Sequence, residues 1–138
     1  MSVNISTVAR NAAGDAIVDL LDLGSINPNA FMEIRTGVKP ASPQVAATGT
    51  LLATLNYSNP AFGTFGSGIG LANAISPDVD IDENGTAGYF RCYNRDGVAV
   101  FDGDITITGG GGDIEFDNVD FLKGGTVQIT VLSATMPQ

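Results

Sequence analysis

The chain has 138 residues, 43% of them apolar and only 15% charged, with 18 Gly, 6 Pro, one Cys, no His and no Trp. That is enough apolar material for one core and too little charge for a disordered chain, while the missing histidine removes the usual general base near neutral pH and the commonest nitrogen metal ligand. The net charge of −9 lies wholly between Asp78 and Asp120, where eleven acids face Arg91 and Arg95. Such a surface repels phosphate backbones and anionic headgroups, which argues against nucleic acid and membrane partners.

Met1–Ile5 has no helical face of its own and reads as an N-terminal arm to a single domain spanning 6–138. It lacks a basic stretch followed by an apolar block, and the apolar runs fall well short of the roughly 20 residues that span a bilayer. A soluble chain made in a cytoplasm is therefore expected. Residues 6–23 are the one helix candidate, with Ser6 as N-cap, Gly24 as C-terminal stop and a stripe of Val8, Ala12, Ala16 and Leu20 flanked by Ile17 and Leu21. That stripe predicts a helix laid as a lid on a β core.

Beyond Gly24 the period changes to two. FMEIRTG (31–37) alternates Phe31, Glu33 and Arg35 with Met32 and Ile34, a half-buried strand. The segment after it, with Pro40 and Pro43, predicts an exposed loop over 38–49, and LLATLNY (51–57) a second strand. FGTFGSGIG (62–70) resembles a phosphate loop only in its glycines. It lacks the Gly-Lys-Ser/Thr ending and the following helix, so it reads as backbone that bends sharply or lies against a neighbour.

DVDIDENG (78–85) begins as a calcium loop would. With Asp80 first, Asp82 is third, Asn84 fifth and Gly85 sixth, but position twelve is Arg91 where a bidentate carboxylate is needed. Asp80, Asp82 and Asn84 remain the metal candidates as an irregular β-loop site. The competing expectation is a solvated acidic turn in which Asn84-Gly85 supplies positive φ. No cofactor is expected.

Residues 86–93 and 98–107 flank Asn94-Arg95-Asp96-Gly97, a hairpin signal of the Asp-Gly type I′ kind. Gly109–Gly112 reads as a flexible tip, 114–116 and 119–122 as short strands, and TVQITVLSATM (126–136) as a final strand with Val127, Ile129 and Val131 on one face. Cys92 lies mid-strand and suits a small core residue better than a nucleophile without a base. Asp102 and Asp104 share a strand face, as a glycosidase-type pair would, though Asp-Gly-Asp also suits an exposed strand end. One helix and seven or eight short strands predict a mainly β fold: an antiparallel β-sandwich, jelly-roll in type, with one N-terminal α-helix. No constellation favours an enzyme.

The succession DLLDLG, RTG, KPASP, GTLLATL (49–55) and GTAGYFRCYNRDGVAVFDG (85–103), closed by KGGTVQITVLSATMP, resembles the small capsid cement (decoration) proteins of tailed bacteriophages. The resemblance covers nearly the whole chain from about residue 6, and its motifs are scaffold rather than catalytic. It implies a jelly-roll sandwich bound to the capsid exterior of a virion, often as a homodimer. There it bridges capsomers of the major capsid protein against internal DNA pressure, with no catalytic residues. The arm (Met1, Ser2, Val3, Asn4, Ile5), the proline loop (Lys39, Pro40, Pro43) and the glycine loop (Phe62, Phe65) are then the candidate partner contacts. The other open expectation is a tail or baseplate component or a carbohydrate-binding domain of the same architecture.

Overall fold

The computed structural model describes residues 3–138. Ser6 caps the helix α1 (Thr7–Asp19), its hydroxyl accepting from Ala9 N at 3.2 Å, and a turn of 3-10 helix (Leu20–Asp22) follows before Gly24 turns the chain at φ +113°. The face it buries differs from the expected one. Gly14, Val18 and Leu21 point inward, whereas Val8 is 78% exposed and Ala12, Ala16 and Leu20 also face out.

The main sheet contains β1 (Phe31–Thr36), β2 (Leu51–Asn56), β4 (Gly85–Tyr93), β5 (Ala99–Ile107) and β6 (Ile114–Phe116) in the order β2-β1-β4-β5-β6, and β7 (Asp120–Phe121) pairs antiparallel with the start of β4. A small second sheet pairs β3 (Ile69–Leu71) with β8 (Ser133–Thr135). The fold is mainly β with one N-terminal helix, and its curled sheet is mostly antiparallel. The exception to antiparallel pairing is β5–β6, which run parallel in the register Ile105↔Ile114 to Ile107↔Phe116.

That exception explains the four-glycine tip. Parallel neighbours ordinarily need a crossover of a dozen or more residues, yet here only 108–113 carry the chain back. The return is so tight that a Cβ at Gly112 would lie 2.9 Å from Thr106 N. The tip expected to be flexible is fastened: Glu115 accepts from Gly109 N and Gly111 N, both at 2.9 Å, and Thr106 Oγ1 accepts from Gly112 N at 2.9 Å.

The β4–β5 hairpin forms as expected, with a different turn. Of its connecting residues only Gly97 has positive φ (78°), and the register slips between Cys92 and Tyr93, so this is a longer loop with a single left-handed residue. The geometry expected there occurs in the glycine string instead. Ser67 (φ 53°) and Gly68 (φ 76°) are the central pair of a turn in which Gly66 and Ile69 exchange both main-chain bonds at 2.9 Å. The long final strand is also corrected. Val127 is buried through a bridge to Asp78, Val131 is 77% exposed, and only Ser133–Thr135 forms a strand. Within 126–132 the main chain meets two separate neighbours, Asp78 at Val127 and Ala72 at Leu132, instead of a continuous partner, so alternation has no ladder to join.

The core lies on one face of the sheet, built from Met32, Ile34, Leu52, Leu55, Phe90, Cys92 and Ile105. Val18 and Leu21 of the helix region, Phe62, Phe65, Phe121 and Val127 close it.

Candidate functional site: the held loops and the acidic segment

On the sheet face away from the core, register lines up polar rungs. Glu33 of β1 opposes Arg91 of β4, which opposes Asp102 of β5; one rung along, Arg35, Tyr89 and Asp104 align in the same way. Arg91 is 2% exposed, and its guanidinium makes a two-nitrogen contact with Asp102 Oδ2, from Nη2 at 2.9 Å and Nε at 3.2 Å. What covers it is the proline loop. Arg91 also donates to Val45 O at 2.6 Å and Ser42 O at 3.3 Å, Tyr89 OH donates to Thr48 O at 2.6 Å, and Thr48 N donates back to Tyr89 OH at 3.0 Å. Residues 38–50 are thus a strap fastened across the sheet. A buried guanidinium without these acceptors and its carboxylate would be costly, so strap and strand depend on each other.

Of the proline-loop candidates, Lys39 is a half-buried ion pair with Asp104 at 2.8 Å, and Pro40 and Pro43 are half-buried in the strap. Its hydrogen bond to Asp104 raises the Lys39 ammonium above its usual pKa. Phe62 and Phe65 are core side chains and leave the set of surface candidates. The Phe65 ring fills the space between α1 and β3, so that a Cβ on Gly14 would lie 2.3 Å from it and one on Gly70 2.1 Å. Three inward side chains of the helix region hold the backbone of that loop. Asn11 Oδ1 accepts from Gly68 N, Asp15 Oδ1 from Phe65 N and Asp22 Oδ1 from Ala61 N, at 2.8 to 2.9 Å. Arg10 donates to Met136 O through Nε at 3.1 Å and Nη2 at 2.7 Å, tying in the C-terminal segment.

Val3, Asn4 and Ile5 are exposed and outside regular structure; Met1 and Ser2 lie outside the described residues. Among the described residues no helix is long and apolar enough to cross a membrane.

The acidic bend is a seam. Asp82 N donates to Leu52 O and Ser76 N to Asn56 O along the outer edge of β2, while Asp78 Oδ2 accepts from Thr54 N, each at 2.8 Å. On its other side Asp78 and Val127 exchange main-chain bonds, and Ile81 N donates to Gly125 O at 3.0 Å. The segment therefore covers the edge strand β2, a position that would otherwise present unpaired donors and acceptors. Asp80 and Asp82 face solvent, and Asn84 Oδ1 accepts from Lys123 N at 2.8 Å. Neither Asn84 nor Gly85 has positive φ, contrary to the turn expected there, because Gly85 already begins β4. Among the described residues no three His, Cys, Asp or Glu side chains converge as a cation site.

The remaining reactive groups are occupied. Burial pushes the Cys92 thiol up to about 12, and its Sγ lies 3.2 Å from Tyr57 OH. Asp102 and Asp104 are separately engaged by Arg91 and Lys39. Sequence reasoning missed Arg91 and Tyr89 as organising residues. The available signal was a cation inside TAGYFRCY, where apolar neighbours on both sides mark a strand buried on both faces. Comparison of the chain with protein-family models, with curated proteins and with solved structures finds no match in any of the three.

Proposed function

We propose that the chain is a structural virion protein that binds the exterior of an assembled icosahedral capsid and cements neighbouring capsomers against internal DNA pressure. The observation that carries this reading is the outward apolar ridge of the helix region, Val8, Ala12 and Ala16 of α1 with Leu20 of the following turn, preceded in the chain by the exposed Val3 and Ile5 of the arm. The helix region buries Val18 and Leu21 beside the loop-gripping Asn11, Asp15 and Asp22 and leaves a second apolar stripe outside, which suits a surface awaiting a partner. The sequence resemblance supports the same reading, since GTLLATL and GTAGYFRCYNRDGVAVFDG form β2, β4 and β5, three of the strands of the main sheet. The occupied thiol and carboxylates agree with a role that is not catalytic.

In this proposal the two sheets are the layers of a jelly-roll sandwich, the partner is the major capsid protein, and the protein sits on the shell as a homodimer. The acidic segment keeps it off packaged DNA, and neither cofactor nor membrane is involved. A protein that binds only the expanded shell stabilises that state by RT ln(1 + [L]/Kd) at each site, and icosahedral repetition multiplies the gain. Cosedimentation with purified expanded heads tests it. Stoichiometric binding is expected, and Val8→Glu with Ala16→Glu should abolish it while changing stability by less than about 0.5 kcal/mol per site. Binding to tails alone, or a double variant that binds heads like the parent, would overturn it.

A further inference from the structure

The strap covers one end of the polar sheet face and leaves the other end open, where β1 begins at Phe31 and β2 ends at Asn56. There the 27–29 loop and Ser76 wall a cleft of about 530 Å³, within the roughly 300–1,000 Å³ range of small-molecule sites. Phe31 and Asn56 are direct cross-strand partners, so ring and carboxamide stand side by side. Phe31 is steadied by stacking on Tyr93, with centroids 5.0 Å apart and planes 16° from parallel. Its ring contributes an aromatic surface to the cleft.

The polar lining is pre-set. Asn27 and Asn29 each donate their amide nitrogen to a main-chain carbonyl, of Arg95 at 3.0 Å and of Tyr57 at 2.6 Å. Their Oδ1 atoms are thereby oriented as acceptors before any ligand arrives. Thr54, Asn56 and Ser76 supply hydroxyl and amide groups from β2 and the neighbouring segment. Among the described residues no charged side chain lines the cleft, so a phosphate or carboxylate ligand would find no counter-charge there in a protein of net charge −9.

We propose that this cleft binds a neutral saccharide of one or two pyranose units. The C–H face of a sugar ring would lie on Phe31 and vicinal hydroxyls would donate to the fixed Asn oxygens. This inference stands apart from capsid binding, since the cleft is formed by the sheet and the 27–29 loop, not by the outer face of α1. The sugar could come from a cell-surface glycan or from a free saccharide; the chemistry recognised is the same.

The test is a titration of the uniformly 15N-labelled full chain with the methyl glycosides of glucose, galactose, mannose and N-acetylglucosamine, followed by amide chemical shifts. N-acetylneuraminate is the charged control. Saturable shifts grouped at Asn29, Phe31 and Asn56 are expected for at least one neutral probe and none for neuraminate. Phe31→Leu should weaken that binding roughly tenfold through the lost ring face. Asn56→Ala, at an exposed position, should weaken it as well. No saturable shift with any neutral probe overturns the proposal, as do shifts centred elsewhere, equal binding of neuraminate, or unchanged affinity in both variants. For a probe that binds, the matching glycan immobilised on beads separates the sources. Retention of the chain points to a surface glycan, and binding of the free glycoside alone to a soluble sugar.

Discussion

The strap over 38–50 and the tip over 108–113 are both irregular, both rich in turn residues, and both held by side chains that grip main chain. They differ in which half of the peptide group is mainly gripped, Thr48 N of the strap being the exception. The strap turns carbonyls inward, at Ser42, Val45 and Thr48, and is met by the donors Arg91 and Tyr89 from beneath. The tip turns N–H groups inward, at Gly109 and Gly111, and is met by a carboxylate from its own strand. The strap's anchor is buried in the sheet, whereas Glu115 is exposed. A loop is ordered by whether its orphaned backbone groups find partners of the opposite kind, and the depth of the partner sets how much depends on it.

The largest effect should come from removing the buried anchor. Arg91→Met leaves Asp102 buried without its cation and the strap carbonyls of Ser42 and Val45 without their donor, and should cost about 3–5 kcal/mol, read as a lower urea midpoint. Arg91→Met combined with Asp102→Leu should recover much of that loss, because the stranded charge is gone. A single variant within 0.5 kcal/mol of the parent, an order-of-magnitude threshold for surface changes, would reduce the strap to a passive cover. Tyr89→Phe is the milder cut. It removes both bonds to Thr48 and should cost about 1 kcal/mol, with amide exchange rising at Thr48 and its neighbours while the tip keeps its protection. Faster exchange at the tip as well would mean the two loops are not independent.

The contrast also marks where sequence reasoning works. The β4–β5 hairpin was legible because alternating strands and an Asp-Gly turn are both local signals. Helix α1 was legible at its cap and its end, yet its buried face was not. Periodicity selects Val8, Ala12, Ala16 and Leu20, but the loop at 61–68 presents unpaired N–H groups, so Asn11, Asp15 and Asp22 turn toward it. The candidate contacts divided for a related reason. A glycine-rich stretch with two phenylalanines looks like an exposed loop, but Gly14 and Gly70 are small so that the Phe65 ring can lie between them. The short parallel return into β6 had no local signature, since four glycines in a row suit a loose tip equally well.

The smallest and most selective change concerns acid. Glu115 is held below its ordinary carboxyl pKa by the N–H groups of Gly109 and Gly111, and Asp96 is lowered in the same way by Ser25 N and Ile26 N. A depressed folded pKa means that the stabilisation is present above the unfolded value and is lost as pH falls through the folded one. The tip and the Asp96 contact should therefore loosen in acid, whereas the strap's bonds from Arg91 to Ser42 and Val45 involve no carboxylate and should persist through the same titration step. The Gly109 and Gly111 amide shifts, followed by NMR against pH, should move together with a midpoint below the ordinary glutamate value of 4.5. Glu115→Gln should abolish that midpoint and leave the resonances of Ser42 and Val45 in place. A midpoint at or above the ordinary value, or strap resonances that move with the tip, would erase the distinction between a loop held by an exposed anion and one held by a buried cation.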